Sequence, residues 1–429
     1  MPRRVLRPGM LAGGDGSTLS LDFTAMSSLD SRFTFTRAST ATYINSSGLV
    51  TTMAAASTND PTKARFDYDP ITLLPRGLLI EGSATNSVLY SESFDAPNWS
   101  TFGLNGGVVT STSQTNPAGS ASSIRIVENT SNSTHGIFQN VSVTSGSQYT
   151  FSVFARGDGT RTLVGIRITL GGAATDYSVV FDLADGTTGT PYTSGTPGTV
   201  TPRAVQYGGG WWRLSVTMNA PSASTLFYIH NSTVKNLATS MNAYLGTGSN
   251  GVYVWGAQVE AGSWTSSYIA SVASQGQRAA DVCTMSGTNF SSWFNSTEGT
   301  FLGTGERAIT SNFGRLLSAN ANNTTSAFDL GASTTGRWVI TNSTSQADIT
   351  AGTVTANTAF KVAGAFASNY AQMAFNGTLG TADASVSLPT VTQLDIGADR
   401  TAVYLAGRIR SIKFWPTRLP EATLQSLTA

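Results

Sequence analysis

From about Asn86 to Ala270, apolar and polar positions alternate with a period of two. Tyr149, Phe151, Val153 and Ala155 fall on one face, with Thr150 and Ser152 on the other. Val164, Ile166, Ile168 and Leu170 repeat the pattern, as do Tyr177, Val179, Phe181 and Leu183. Turn residues bound these runs at Gly157-Asp158-Gly159, Gly171-Gly172 and Asp185-Gly186. Neighbouring strand side chains point to opposite faces, so the pattern predicts antiparallel sheets covered on one side and polar on the other. Many short strands of this kind predict a sandwich or jelly roll.

A small, polar stretch at 271–278 reads as a linker to a second β-region that runs to Ala429. There Phe360, Val362, Gly364 and Phe366 alternate, and Ile409 to Trp415 predicts a strand. Met373 and Phe375 lead into Asn376-Gly377, the pair favoured in type I′ hairpin turns. One helix is predicted, at the end. Pro420 suits a first helical position, Glu421 the positive end of the dipole, and Leu424 and Leu427 share a face. The first 85 residues are irregular, with short apolar pieces at Leu19 to Phe23 and Phe33 to Thr36.

Composition narrows the function classes. A length of 429 residues predicts two to four domains. Charged residues are 11% of the chain, against roughly 25% in an average soluble protein. Net charge is +1, which provides no electrostatic attraction to nucleic acid or an anionic membrane. A single cysteine, Cys283, excludes an internal disulfide and a cysteine zinc cage, and reads as a strand thiol. Two histidines, His135 and His230, leave little for metal or triad chemistry and read as structural. No apolar run reaches the length of a membrane span. The basic start is followed only by Met10-Leu11-Ala12 before Gly13-Gly14-Asp15, so no secretion signal is expected and the chain is expected to be made in a cytoplasm. Three arginines in the first seven positions form either a solvated terminus or an anchoring arm that orders against a partner protein.

Candidate binding residues come from strand parity. Trp212, Leu214, Val216 and Met218 make an apolar face, which places Trp212 in the core. Trp211 shares its face with Arg213, Ser215 and Thr217 and is expected to look outward. An outward Trp beside Arg213 is either a stacking platform for sugar or a contact under a loop or in a subunit interface. Trp99 and Trp264, in Ser- and Asn-rich stretches near strand ends, carry the same two readings. Tyr253 and Trp255 alternate with Val252 and Val254, so burial is expected for both. Sandwich glycosidases commonly set two or three carboxylates along one strand, as E-x-D-x-E or E-x-D-x-x-E; neither spacing occurs, and no catalytic residue or enzyme activity is expected. No phosphate or dinucleotide glycine loop is found, and Gly208-Gly209-Gly210 reads as a hairpin turn.

Three stretches resemble known families. Phe35 to Tyr43, Arg65 to Pro70 and Gly77 to Glu81 together resemble a module near the front of bacteriophage tail, fibre and virion-surface proteins. Asn86, Tyr90 to Phe94 and Trp99, with Gly251 to Glu260 and Ser267 to Ile269, are similar to the carbohydrate-binding-module-like jelly rolls that follow it. Gly407 to Trp415, Arg418-Leu419-Pro420, Phe375-Asn376-Gly377 and Asp395-Ile396-Gly397 look like the closing half of a concanavalin A-like, laminin-G-like lectin domain. The resemblance implies an all-β chain of three parts: a virion attachment module at 1–85, a jelly roll at 86–270 and a lectin-like sandwich at 279–429. It implies a tail fibre, spike or decoration protein located on the virion. Such a protein joins other virion proteins by its N-terminal arm, assembles as a homo-oligomer with a trimer expected, and binds host surface polysaccharide. Residues 86–429 are expected to fold without the module. The rival readings are a purely structural virion connector and a polysaccharide depolymerase. Both sandwich families often hold calcium on oxygen ligands, which gives Glu92 and Asp95 either that role or none; no other cofactor is implied.

Overall fold

A computed structural model describes residues 15–429 other than 112–113, 171–174, 197, 221–222, 309–310 and 400–402. The arginines of the N-terminal arm and the Gly171-Gly172 turn lie outside the described residues. The alternating segments form two antiparallel β-sandwiches.

The jelly roll pairs two six-stranded sheets. One runs in the order Thr201–Gln206, Trp212–Asn219, Gln148–Gly157, Gly251–Ala261, Ser123–Glu128, Leu104–Ser111. The other runs Tyr192–Ser194, Asp176–Asp182, Leu163–Leu170, Ser224–Asn231, Gly136–Ser142, Ser100–Phe102. Phe151 and Val153 of the first sheet pack against Ile166, Val179 and Phe227 of the second. The alternation is as the sequence predicts, but the second face of Gln148–Gly157 is not solvated. Thr150 and Ser152 are fully buried, and Phe154 between Val153 and Ala155 joins a separate cluster with Ile44, Val50, Trp211, Trp255 and Tyr268. Ile44 and Val50 come from the segment before residue 85, which covers this face.

The second sandwich holds an eight-stranded and a seven-stranded sheet around the largest core. Its rings include Phe301, Phe366 and Phe414 on one side and Phe328 and Trp338 on the other, with Phe328 and Phe366 centred 4.3 Å apart. The strands before residue 85 do not stand apart as a module. Leu19–Asp22 and Pro75–Ile80 pair end to end along the same edge of Gly407–Trp415. Arg65–Tyr68 pairs with Pro75–Ile80, and Thr34–Thr36 pairs with Val282–Ser286. Residues 86–429 taken alone would lack these pairing partners. Leu19, Leu21, Phe23, Phe35, Leu78 and Ile80 are buried in the same core as Phe301 and Phe414. Without these strands the edge of Gly407–Trp415 would show unpaired backbone groups and bare apolar side chains.

The chain crosses between the sandwiches twice, and the crossings pair with each other. Ala84–Asn86 runs antiparallel to Gly276–Arg278, with Asn86 opposite Gly276. The stretch read as a linker thus ends in a strand, and Arg278 is buried. The terminal helix spans Glu421–Thr428, with Pro420 one position earlier than expected, at its N-cap, and Leu424 buried beneath it. Asn376 and Gly377 both have positive φ, 44° and 79°, as a type I′ turn requires. Among the described residues, no helix is long and apolar enough to cross a membrane.

Candidate functional site

The outer face of the jelly roll's second sheet carries a row of rings. Phe138, Tyr228 and Arg167 stand opposite one another on three adjacent strands, one rung of the ladder. Their sequence neighbours Ile137, Ile229 and Ile166 point the other way into the core. Phe138 and Tyr228, both half-buried, stack with centroids 4.8 Å apart and planes 24° apart. Phe102 meets Tyr228 edge-on at 6.0 Å. The Arg167 guanidinium lies 4.9 Å over the Tyr228 ring and is fixed by Asp176 through Nε–Oδ1 at 2.9 Å and Nη2–Oδ2 at 2.7 Å.

Two glycines make this face flat. A Cβ at Gly136 would come within 2.8 Å of the Phe102 ring, and one at Gly165 within 2.1 Å of His230 Nε2. His230 lies buried on the next rung, with Nε2 3.3 Å from the Ser178 hydroxyl. Burial lowers its pKa to about 4, so the ring is neutral near pH 7. Burial raises the Tyr228 phenol, with Arg167 opposing and Asp176 adding to the shift. The product is a shallow aromatic strip beside an oriented Arg–Asp fork. Such a strip offers ring faces to sugar C–H groups and the fork offers fixed polar atoms. Asp176 is committed to Arg167 through both carboxylate oxygens.

A second concavity, of about 100 Å³ and partly open to solvent, lies between the sandwiches. Arg76 and Arg408 of the eight-stranded sheet share Glu306, and Arg408 also holds Asp67. Opposite them stand Arg203, Arg213, Tyr207 and Trp264 of the jelly-roll side. Behind this wall Arg65 donates to Glu81 at 2.7 Å, and Glu81 accepts from the backbone and hydroxyl of Ser267.

Of the four residues singled out in the sequence, this cleft brings together two, Arg213 and Trp264. The other two are not on the surface. Trp211 is 1% exposed, closed in by Ile44, Val50 and Tyr268, and its indole donates to Thr115 O at 2.9 Å. Its parity was legible, but the face it shares with Arg213 is the one covered by the chain before residue 85. Trp99 packs against Phe94 in the jelly-roll core and donates to Tyr90 O at 3.1 Å. Trp212 faces the core as predicted, yet is only partly buried at its edge, with Nε1 donating to Leu183 O. Trp255 is buried and Tyr253 half-buried.

Glu92 accepts from the Tyr268 hydroxyl at 3.0 Å, and among the described residues no three acidic, His or Cys side chains converge on a metal-sized space. The Glu92–Asp95 pair is a poor fit for calcium, which takes six to eight oxygens. The platform residues Phe138 and Tyr228 did have a sequence signal: each is an aromatic at an outward position of an alternating strand.

Residues 86–196 match the family described as carbohydrate binding domain. The match includes Phe102, Phe138, Arg167 and Asp176; Tyr228 lies beyond it. No curated protein sequence matches the chain. Among solved structures, the chain is similar to the Ruminococcus gnavus IT-sialidase CBM40 bound to α2,3-sialyllactose, at 17% identity, 32% of this chain, 84% of that one and a TM-score of 0.28. It is similar to domain 4 of AbnA, an extracellular arabinanase from Geobacillus stearothermophilus in complex with arabinotriose, at 10% identity, 35% and 73% coverage and a TM-score of 0.30. Trypanosoma rangeli sialidase is matched at 11% identity over 71% of this chain and 66% of that one, with a TM-score of 0.28.

Proposed function

We propose that this chain is a non-catalytic glycan-binding protein of a bacteriophage virion surface. It takes host surface polysaccharide on the Phe102, Phe138 and Tyr228 strip of its jelly roll. One observation carries the reading: the stacked Phe138–Tyr228 pair lies on the open face of a sandwich whose first half matches a carbohydrate binding domain. The virion assignment rests on the sequence resemblance at Phe35 to Tyr43, Arg65 to Pro70 and Gly77 to Glu81. In this reading Arg3, Arg4 and Arg7 contact other virion proteins. Display as a trimer raises weak contacts to useful avidity.

The test is binding of the full chain to purified host polysaccharide, with Phe138→Ala/Tyr228→Ala as the variant. At least a tenfold loss of affinity is expected, with the melting transition still cooperative. A folded variant that binds as well as the parent would remove the strip from the reading. Release of reducing sugar by the parent chain would turn the reading to a depolymerase. Mass measurement of the purified protein and of its density on the particle checks the trimer.

A further inference from the structure

We infer that the cleft between the two sandwiches is a second ligand site, one that takes a saccharide bearing a carboxylate. This goes beyond the aromatic strip and does not depend on it. The argument starts from charge. Arg203, on strand Thr201–Gln206, faces Arg76 and Arg408 across the cleft. Those two arginines are held by Asp67 and Glu306. Three guanidinium groups therefore meet two carboxylates, and Arg203 makes no ion pair among the described residues. Arg203 therefore brings to the cleft a guanidinium with no carboxylate of its own, which a bound anion would pair.

Arg213 supplies an independent observation. It is 7% exposed, with its guanidinium 5.1 Å over the Phe154 ring. Nη1 donates to Ser266 O at 2.7 Å and Nη2 to the Ser152 hydroxyl at 3.5 Å, but Nε is buried with no acceptor, and no carboxylate lies within ion-pair distance among the described residues. The field of Arg213 reaches Glu260, whose carboxyl is nonetheless raised by burial and already accepts from Gln258 and Ser266. Buried donors and cations in folded proteins are normally matched, and an unmatched one calls for an explanation. Guanidinium groups match carboxylate geometry, so a carboxylate in the cleft would supply the charge partner that Arg203 and Arg213 lack. The remaining walls are the half-buried rings of Tyr43, Tyr207 and Trp264, which suit a sugar ring better than a bare ion.

The experiment titrates the full chain with D-glucuronate and D-galacturonate, and in parallel with D-glucose, D-galactose and acetate. The uronates are expected to bind at least tenfold more tightly than the neutral sugars and than acetate. Arg203→Gln, at an exposed position, is expected to lose at least tenfold in uronate affinity with its melting temperature unchanged. Trp264→Ala is expected to lose uronate binding without changing the response to acetate. Phe138→Ala/Tyr228→Ala leaves uronate binding intact, which separates this site from the strip. Uronates that bind no better than their neutral parents, binding indifferent to Arg203→Gln, or acetate as tight as the uronates would each overturn the inference.

Discussion

Arg65 Nη2 meets Asp281 Oδ2 at 2.5 Å, although 216 residues separate them in the chain. Both side chains are shut off from solvent, and each has a second partner: Arg65 also holds Glu81, and Asp281 also holds Arg37. The knot ties two strands before residue 85 to the return of the chain from the jelly roll. Removing one member of such a knot leaves a buried charge unmatched. Asp281→Asn is expected to lower the unfolding free energy by about 3–5 kcal/mol, read from urea denaturation of the full chain. Deletion of residues 2–84 removes Arg37, Arg65 and Glu81 with their strands, and an insoluble remainder is expected; a soluble, cooperative one would contradict this account.

Acid should destabilise the protein in two separate windows. Burial lowers His230 from 6.5 to about 4. The unfolded chain takes up that proton first, so stability present above pH 6.5 is lost as pH falls toward 4 and levels below it. Burial alone would raise Glu81, but Arg278, Arg65 and the Ser267 donors outweigh it and hold the carboxyl at about 2, down from 4.5. Its contribution is present above pH 4.5 and is lost between there and about 2. Each group is worth about 3 kcal/mol at most. Melting temperatures across pH 7 to 3 check this: His230→Gln should flatten the upper window and leave the lower one.

The neighbouring tryptophans should differ in the opposite sense to an outward Trp211. Trp211→Ala empties a closed site and should cost about 3–5 kcal/mol, whereas Trp212→Ala, at the core's edge, should cost less. Neither should change glycan binding beyond what unfolding explains. Thermal melts and polysaccharide binding on the same preparations decide it, and a Trp211→Ala protein of full stability with lost binding would restore the outward platform.

Gly165→Ala should destabilise by about 1–3 kcal/mol, because the new methyl group collides with the His230 ring rather than straining the backbone. The collision is 2.1 Å to Nε2, too close for a small adjustment. A calorimetric melt measures the loss. Unchanged stability would mean that His230 does not lie across the sheet.

The strands were legible because parity is a local property. Tyr149, Phe151 and Val153 face the core as their spacing predicts, and so do Phe360, Val362 and Phe366. What covers the opposite face is not local. Thr150, Ser152 and Arg213 read as a solvated polar face, and only the approach of Ile44, Val50 and the Arg65–Glu81–Asp281 knot makes that face an interior. Trp211 fails for this reason and Trp99 for a related one, since a Ser- and Asn-rich context records a turn and not the core beneath it. Within the cleft, Arg213 was legible from strand parity and Trp264 from its place near a strand end. Arg76, Arg203 and Arg408 come from strands of both sandwiches, and no spacing in the chain relates them.

The paired crossings, Ala84–Asn86 against Gly276–Arg278, place the two ends of the jelly roll side by side. A domain entered and left at one point is a cassette. It can be exchanged for another of different ligand preference without moving the strand ends of the sandwich that carries it, as domain insertions are tolerated where termini lie close together. The price is local and chemical: a replacement must cover Ile44 and Val50 and offer a hydroxyl where Ser267 now donates to Glu81. An exchange of the jelly roll would thus touch the rest of the chain only at a handful of contacts on one seam.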